Sequence, residues 1–282
     1  MHSKRIGATL CLAAFCLGPI FAGGSKDRGA SSPEVQAPPY TIEVAGSTSV
    51  TPLMELLAED YGRVRSNVKI NINGTGSSDG INAAAAGTSE VGMSSRELSP
   101  VEKGAGLKEL VIAIDGIAVI LHETNPLTGL SIAQCRDIYS GKIQDWSEVT
   151  GEKQGKIAVV SREPGSGTRG AFEELIALKD ELVPGAIEFD GTGAVKAEVS
   201  RNADAIGYIS LGSVDSSVKP LAIEGVPANS ANVINGTYKI ARPFILLTKG
   251  PSVHQETQQF LEWILSPAGQ AIVKKSWISV TG

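Results

Sequence analysis

Three short runs of alternating apolar and polar residues are each followed by a turn of glycine and hydroxyl residues, and then by a stretch with helical spacing. The runs are TIEVAG, VKINING and KIAVVSRE. The helices predicted after them cover Thr51 to Tyr61, Asp79 to Ala86 and Arg169 to Leu178. Strands that alternate with helices favour parallel pairing, so the pattern predicts an α/β fold.

Later apolar runs complete this prediction. The run LKELVIAIDGIAVILH predicts two strands around Asp115, and AIGYISLG and ARPFILLTKG each predict one further strand. Near the C-terminus, apolar residues at helical spacing predict a helix that is interrupted at Pro267 and followed by a second helix.

The N-terminus has the pattern of a secretory signal peptide over residues 1–22. Basic residues precede an apolar run from Ile6 to Phe21, which ends in small residues with cleavage expected after Ala22. Residues 23–39 are rich in Gly, Ser, Pro and charge, which is typical of a disordered leader. We expect an exported, periplasmic protein. Acylation at Cys16, as a membrane-tethered lipoprotein, stays open, although the preceding Phe15 fits such a signal poorly.

Composition excludes several classes of protein. The chain has 282 residues, of which 42% are hydrophobic and 20% charged, so it predicts a soluble globular protein with more than one core. The formal charge of −5 argues against a nucleic-acid partner. Removal of the signal leaves Cys135 as the only cysteine, which excludes a disulfide framework. We predict no metal and no cofactor, since the sequence has no Cys or His pair at ligand spacing and no nucleotide-binding motif. We also predict a monomer.

The three turns have residues that suit an oxyanion. A helix N-terminus exposes unpaired backbone N–H groups and a partial positive charge, and Ser or Thr hydroxyls add donors. The same residues are also ordinary helix caps. The third turn, PGSGT, lies between Arg162 and Arg169, and a guanidinium can hold a tetrahedral oxyanion with paired hydrogen bonds. Either arginine could instead form an ion pair with Glu163 or Glu173.

The ordered motifs AGSTSVTPL, GTGSSDGI, VGMSSREL, DIYSGKIQDWSEV, SREPGSGTR and AIGYISLG resemble the Pst-type periplasmic phosphate-binding family. The resemblance implies a two-lobed type II periplasmic-binding-protein fold, with two α/β lobes joined by a two-crossover hinge. It also implies a protein without enzymatic activity that captures inorganic phosphate for an ABC importer, with the permease and ATPase subunits as partners. We expect lobe I to comprise residues 40–122 plus 218–282, and lobe II residues 123–217.

The family's phosphate contacts fall on eight residues of this chain: Thr48, Ser49, Ser77, Ser95, Arg162, Ser166, Gly167 and Thr168. Two positions differ from the family pattern. Ser95 and Pro164 stand where many members have aspartates.

The substitution at Ser95 bears on specificity. A carboxylate that accepts the proton of phosphate would discriminate against sulfate, and a serine can accept or donate. Asp79, Glu163 or Asp115 could supply that carboxylate instead, and the sequence does not choose among them.

Two alternative functions follow from the sequence. The first is a binding protein for another tetrahedral oxyanion, such as sulfate or molybdate, which the serine at position 95 favours. The second is a secreted serine hydrolase, since GSSDG matches the G-x-S-x-G nucleophile motif with Ser78 as the nucleophile. A hydrolase would also need a nearby histidine, for which the mature chain offers His122 and His254.

Overall fold

The computed structural model describes residues 38–151, 155–178, 181–250 and 253–281. The predicted signal peptide lies outside the described residues, as does the predicted leader apart from Pro38 and Pro39. Secondary structure within the described ranges comprises eleven strands, ten α-helices and one short 3-10 helix (Leu211–Ser213). The strands are β1 (Tyr40–Gly46), β2 (Val68–Gly74), β3 (Val91–Ser94), β4 (Leu107–Leu121), β5 (Gly129–Leu130), β6 (Ala158–Arg162), β7 (Ile187–Phe189), β8 (Ala205–Ser210), β9 (Lys219–Pro220), β10 (Ala222–Ile223) and β11 (Ala241–Lys249). The helices are α1 (Thr51–Val64), α2 (Ser77–Ala86), α3 (Pro100–Lys103), α4 (Ile132–Tyr139), α5 (Ser147–Thr150), α6 (Gly167–Leu175), α7 (Thr192–Val199), α8 (Ser230–Ile234), α9 (Gln255–Leu265) and α10 (Pro267–Val273).

Nine of the described strands form one sheet in the order β2, β1, β3, β11, β4, β8, β6 and β7, with β9 paired to β4. Strands β1, β2 and β3 are parallel, and so are β8, β6 and β7. Between these two parallel groups, β11 and β4 run antiparallel to each other and to their outer neighbours. Helices α1, α2, α6 and α7 each follow a parallel strand, so their N-termini lie at the carboxyl ends of those strands.

Long strand β4 corrects the sequence prediction of two strands around Asp115. It runs through Asp115 without a break, but its partner changes there. Residues up to Gly116 pair with β11, and Ile117 to Leu121 pair with β8. An aspartate and a glycine in the middle of an apolar run suggested a turn, but Asp115 is accommodated in the strand because it has a buried cationic partner on β11.

The two parallel groups have separate cores. One core packs α1, α9 and α10 against β1 to β3, β11 and the first half of β4, with Phe260 and Trp277 among its buried aromatics. The other packs helices α4 and α6 against β4, β6 and β8, where Phe172 and Tyr208 stack with ring centroids 4.1 Å apart. Burial of two separate apolar cores is the expected result for a chain of this length.

The lobe boundaries at residues 122 and 218 stay a prediction, and strand pairing motivates a different placement. The second half of β4 pairs with β8 and β9, β5 pairs with β10, and Val233 of α8 belongs to the second core. We therefore propose that lobe I comprises residues 40–115 and 241–281, and that lobe II comprises residues 116–240. Crossings near Asp115 and Ala241 would then connect the lobes, and the lobe names are used below in this sense.

The predicted helices are present, with shifted ends. The second and third predicted helices begin earlier, at Ser77 and Gly167, so the turn residues themselves form the first helical turn. The third helix ends at Leu175 instead of Leu178, since Ala177 takes a left-handed backbone conformation with φ of 57°. The C-terminal prediction is confirmed, because α9 and α10 are separated at Ser266, just before Pro267.

Candidate functional site

The N-termini of four helices meet where the two lobes face each other. The Ser49 hydroxyl, before α1, lies 2.7 Å from Thr168 Oγ1 in α6 and 3.0 Å from Thr192 Oγ1 in α7. Thr48 Oγ1 accepts a hydrogen bond from the backbone N–H of Thr192 at 3.3 Å. Ser49 and Thr168 are buried. Four helix N-termini with converging hydroxyls make a concentrated set of donors for an anion.

Three serines of lobe I form one buried hydrogen-bond network. Ser77 Oγ accepts from the backbone N–H of Ser95 at 3.1 Å, and Ser47 Oγ donates to Ser95 Oγ at 2.9 Å. Ser47 Oγ also accepts the Ser49 N–H at 3.3 Å. The hydroxyl oxygens of Ser77 and Ser95 accept these bonds and lie 3.4 Å from each other, so at least one of the two hydroxyl protons is available to a ligand.

Gly167 of lobe II lies directly against these serines. A Cβ atom added at Gly167 would lie 2.7 Å from Ser95 Oγ and closer still to Ser77 Oγ. No real Cβ tolerates such contacts, so the close approach of the two lobes depends on glycine at this position.

Arg162 supplies a buried positive charge to the same place. It ends β6, its side chain is 2% exposed, and its Nη2 donates to Thr48 Oγ1 of lobe I at 3.0 Å. Its Nη1 lies 3.3 Å from Thr192 Oγ1. Glu163 holds the guanidinium through two bonds, at 2.7 Å to Nε and 2.6 Å to Nη2. The sequence alternative of an Arg162–Glu163 pair is therefore present, but as a buried brace rather than a surface pair.

All eight residues predicted as contacts lie in this region. Ser166 is the N-cap of α6, and its Oγ accepts from the Arg169 N–H at 3.3 Å. The Arg169 guanidinium bonds to Glu173 and Glu188, each at 2.8 Å, and to the backbone carbonyl of Arg162 at 2.9 Å. The roles of the eight predicted residues in ligand binding stay predictions, because the structure shows their proximity to one another and not a contact with a ligand.

The three carboxylates considered as proton acceptors lie in different places. Asp79 and Glu163 line a cavity of about 520 Å³ at the edge of the site, together with Thr48 and Asp190. Asp115 instead lies in the sheet, where its carboxylate accepts from Ser210 Oγ at 2.8 Å and from Arg242 at 3.2 Å. Burial raises the pKa of Asp115 to about 6, although Arg242 and Ser210 oppose this shift.

Sequence reasoning missed Thr192 and Ser47. Thr192 follows the short strand IEF and the turn DG, which is a fourth copy of the strand, turn and helix pattern and could have been found. The Ser47 carbonyl accepts from the Thr51 N–H at the start of α1, but its hydroxyl contacts Ser95, and only the folded structure shows that contact.

The hydrolase alternative finds no support in the surroundings of Ser78. Its Oγ accepts from Arg96 Nη2 at 3.2 Å, and its N–H donates to the Gly165 carbonyl. His122 bonds to Thr124, and His254 stacks on Tyr40. Among the described residues, no group of three or more His, Cys, Asp or Glu side chains could hold a metal ion. Within those same ranges, no helix has the length and apolar character needed to cross a bilayer.

Comparison with known proteins agrees with this architecture. A family model described as "PBP superfamily domain" matches residues 31–268. The chain is 32% identical to the phosphate-binding protein PstS of Pseudomonas aeruginosa, covering 98% of this chain and 94% of that protein. The chain therefore belongs to the PBP superfamily and, within it, to the PstS family of phosphate-binding proteins.

Solved structures of similar proteins support the same fold. A phosphate ABC transporter substrate-binding protein from Clostridium perfringens, with bound phosphate, is 46% identical with a TM-score of 0.84, covering 86% of this chain and all of that one. An ABC-type phosphate transport receptor from Vibrio cholerae is 35% identical with a TM-score of 0.71, covering 84% and 99%. The predicted type II periplasmic-binding-protein fold is confirmed. Proteins of the PstS family are exported solute-binding proteins of ABC transporters, and not enzymes.

Proposed function

We propose that this chain is the substrate-binding component of a phosphate ABC importer and that it captures inorganic phosphate between its lobes. The observation that carries the proposal is the convergence of four helix N-termini from both sides of the interface, with the Arg162 guanidinium bonded to residues at two of them. A doubly charged tetrahedral anion needs several donors and a positive charge in a desolvated site. The named phosphate-binding relatives support this choice of ligand.

Phosphate is held without a covalent step by two sets of donors. Lobe I supplies the hydroxyls of Thr48, Ser49, Ser77 and Ser95. Lobe II supplies the guanidinium of Arg162 and the first turn of α6, formed by Ser166, Gly167 and Thr168. Because both lobes donate to one ion, binding stabilises the closed arrangement, and opening of the lobes releases the ion.

The transport role implies partners and a location. The closed, phosphate-loaded form delivers its ion to a membrane permease that is driven by a separate ATPase subunit. We propose an exported monomer whose first 22 residues are removed. Intact mass of the natural protein tests this, since a mature chain that begins at Gly23 is expected and a lipid adduct at Cys16 would contradict it.

We also propose that the chain does not catalyse ester hydrolysis, because Ser78 is engaged by Arg96 rather than by a histidine. Incubation with an ester substrate should give the same background rate for the wild type and for Ser78→Ala. A rate that the substitution abolishes would establish a hydrolase.

Calorimetric titration of the wild type with phosphate, sulfate and molybdate tests the ligand. We expect phosphate to bind with the highest affinity of the three. Preferred binding of sulfate or molybdate would assign the site to the other oxyanion, and absence of binding for all three would reject an oxyanion site. If phosphate is preferred, Asp79→Asn and Glu163→Gln then identify the proton acceptor as the carboxylate whose removal admits sulfate.

A further inference from the structure

Ser95 is fixed at all three of its polar groups. Its N–H donates to Ser77 Oγ at 3.1 Å, its hydroxyl oxygen accepts from Ser47 Oγ at 2.9 Å, and its carbonyl accepts from Nη1 of Arg242 at 3.1 Å. The first two partners are neutral hydroxyls of lobe I. The third is a cation on β11, behind the site as seen from lobe II.

Arg242 is a buried charge with an unusual environment. Its side chain is 2% exposed, and its Nη2 lies 3.2 Å from Asp115 Oδ2, whose side chain is 1% exposed. The Nε atom has no hydrogen-bond partner within the described part of the chain. The guanidinium carbon lies 5.5 Å from the centroid of the Phe244 ring. A buried arginine with an unsatisfied donor lowers the stability of a fold, which favours a functional role for Arg242.

The ion pair is oriented with respect to the oxyanion site. Arg242 contacts Ser95, whereas Asp115 contacts Ser210 on β8, so the positive end of the pair lies against the site. Burial lowers the pKa of Arg242, Asp115 opposes this, and the charge of Arg162 adds to the lowering. In such a buried region charges are weakly screened, so an anion at the site interacts with Arg242 as well.

We propose that Arg242 is a positioning residue that holds Ser95 and that, together with Asp115, it sets the electrostatic potential at the oxyanion site. The inference rests on the proposed function, because it assumes that an anion binds beside Ser95. In this arrangement Arg242 attracts the anion through the Ser95 peptide, and the Asp115 carboxylate reduces that attraction.

The Asp115→Asn variant tests the electrostatic part. Asparagine keeps the size of the side chain and removes its negative charge, which leaves Arg242 uncompensated. Phosphate titrated near pH 8, where Asp115 is ionised in the wild type, should bind at least tenfold more tightly. At an effective dielectric constant of about 20, roughly tenfold is the effect of one charge on a singly charged anion about 10 Å away, so it is the lower bound for a doubly charged phosphate. A purely structural role predicts weaker binding, so weaker or unchanged affinity would overturn the proposal.

An uncompensated buried cation destabilises a fold, so a second variant is needed. Asp115→Asn combined with Arg242→Gln gives a neutral pair of similar shape. It should fold and bind phosphate about threefold more weakly than the wild type, since the nearer, positive end of the pair is lost. Affinity equal to that of the wild type would contradict the proposal even if the single variant does not fold.

Two controls separate the possible failures. Asp215→Asn removes a surface carboxylate that pairs with Lys196 and is 53% exposed, and it should leave phosphate affinity unchanged. A wild type that does not bind phosphate would reject the proposed function itself. A wild type that binds phosphate, with an Asp115→Asn variant that gains no affinity, would reject only the role of the ion pair.

Discussion

The two lobes contribute to the candidate site in different ways. Lobe II places a cation directly among the hydroxyls, because Arg162 ends β6 and its Nη2 donates to Thr48 at 3.0 Å. Lobe I places only hydroxyls there. Its Arg96, although next to Ser95 in sequence, is held by Glu102 with two bonds of 2.7 Å, and its Arg242 lies behind the Ser95 carbonyl.

This difference indicates a division of roles. Lobe II supplies the charge that lies directly among the binding hydroxyls, and lobe I supplies a network of oriented hydroxyls that selects the geometry of the anion. An arginine beside a binding turn in sequence is therefore not sufficient evidence of a binding charge. What matters is which partner its guanidinium has in the folded chain.

The largest expected effect comes from removal of the direct charge. Arg162→Ala should weaken phosphate binding between about tenfold and a hundredfold, because a charged hydrogen bond contributes roughly 1.5–3 kcal/mol and about 1.4 kcal/mol is one decade. The variant also leaves the Glu163 carboxylate unpaired beside the anion. Calorimetric titration measures the change, with Arg201→Ala, at an arginine that is 72% exposed, as the control. Unchanged affinity would mean that lobe II does not supply the charge.

Closure of the lobes is tested next, by Gly167→Ala. The added Cβ would collide with Ser77 and Ser95 of the opposite lobe, and overpacking of this kind costs about 1–3 kcal/mol, so affinity should fall about tenfold or more. The melting temperature of the ligand-free protein should change little, because the clash arises only between the lobes. Gly193→Ala, where an added Cβ meets nothing within 4 Å, is the matched control. Equal affinities of the two variants would show that close approach at Gly167 is not required.

A smaller effect is expected at Thr192, the donor that sequence reasoning missed. Thr192→Val keeps the shape and removes a hydroxyl that contacts Ser49 and Arg162, so phosphate affinity should fall about fivefold, the effect of one neutral hydrogen bond. Thr192→Ser should restore the affinity. Unchanged affinity in Thr192→Val would show that this hydroxyl does not contribute to binding.

The smallest effect concerns Arg96 of lobe I, whose guanidinium is paired with Glu102. Hydrogen bonds from Arg96 lower the pKa of Glu102 to about 2, from its ordinary 4.5. The pair therefore stabilises the fold above about pH 4.5, and this contribution is lost as the pH falls towards 2. Glu102→Gln should reduce the pH-dependent part of the free energy of unfolding by about 1 kcal/mol, a value that allows for solvent screening.

Melting temperatures of the wild type and Glu102→Gln across this pH range provide the measurement. The exposed Glu97→Gln serves as the control. Parallel curves for the wild type and Glu102→Gln would show that the Arg96–Glu102 pair does not contribute to stability.

The sequence predicted those parts of the site that are encoded locally. Each binding turn is a contiguous run of glycine and hydroxyl residues after a strand, so Thr48, Ser77 and Ser166 were recognisable without a structure. The partner of a charged side chain is a different matter. Arg242 and Asp115 are far apart in sequence and meet only because β11 inserts beside β4.

The same reason explains the error in β4. Asp115 in an apolar run indicated a turn, since an isolated carboxylate is costly to bury within a strand. Its cationic partner, Arg242, lies on a strand that is distant in sequence but adjacent in the sheet. This pairing removes the penalty and lets β4 continue. The local sequence pattern therefore predicts the binding turns. The course of the chain between the lobes depends instead on strand pairs, such as β4 with β11, whose members are far apart in sequence.

The insertion of β11 between β3 and β4 also has a consequence for the order of folding. All strands of lobe II lie within one continuous stretch of chain, so its contacts can form as soon as that stretch has left the ribosome. Lobe I has to wait for residues 241–281, which supply the strand between β3 and β4 and two of its helices. Contacts of such long sequence separation form slowly because a long loop must close first. The site serines of lobe I therefore reach their final positions only after nearly the whole polypeptide has been synthesised.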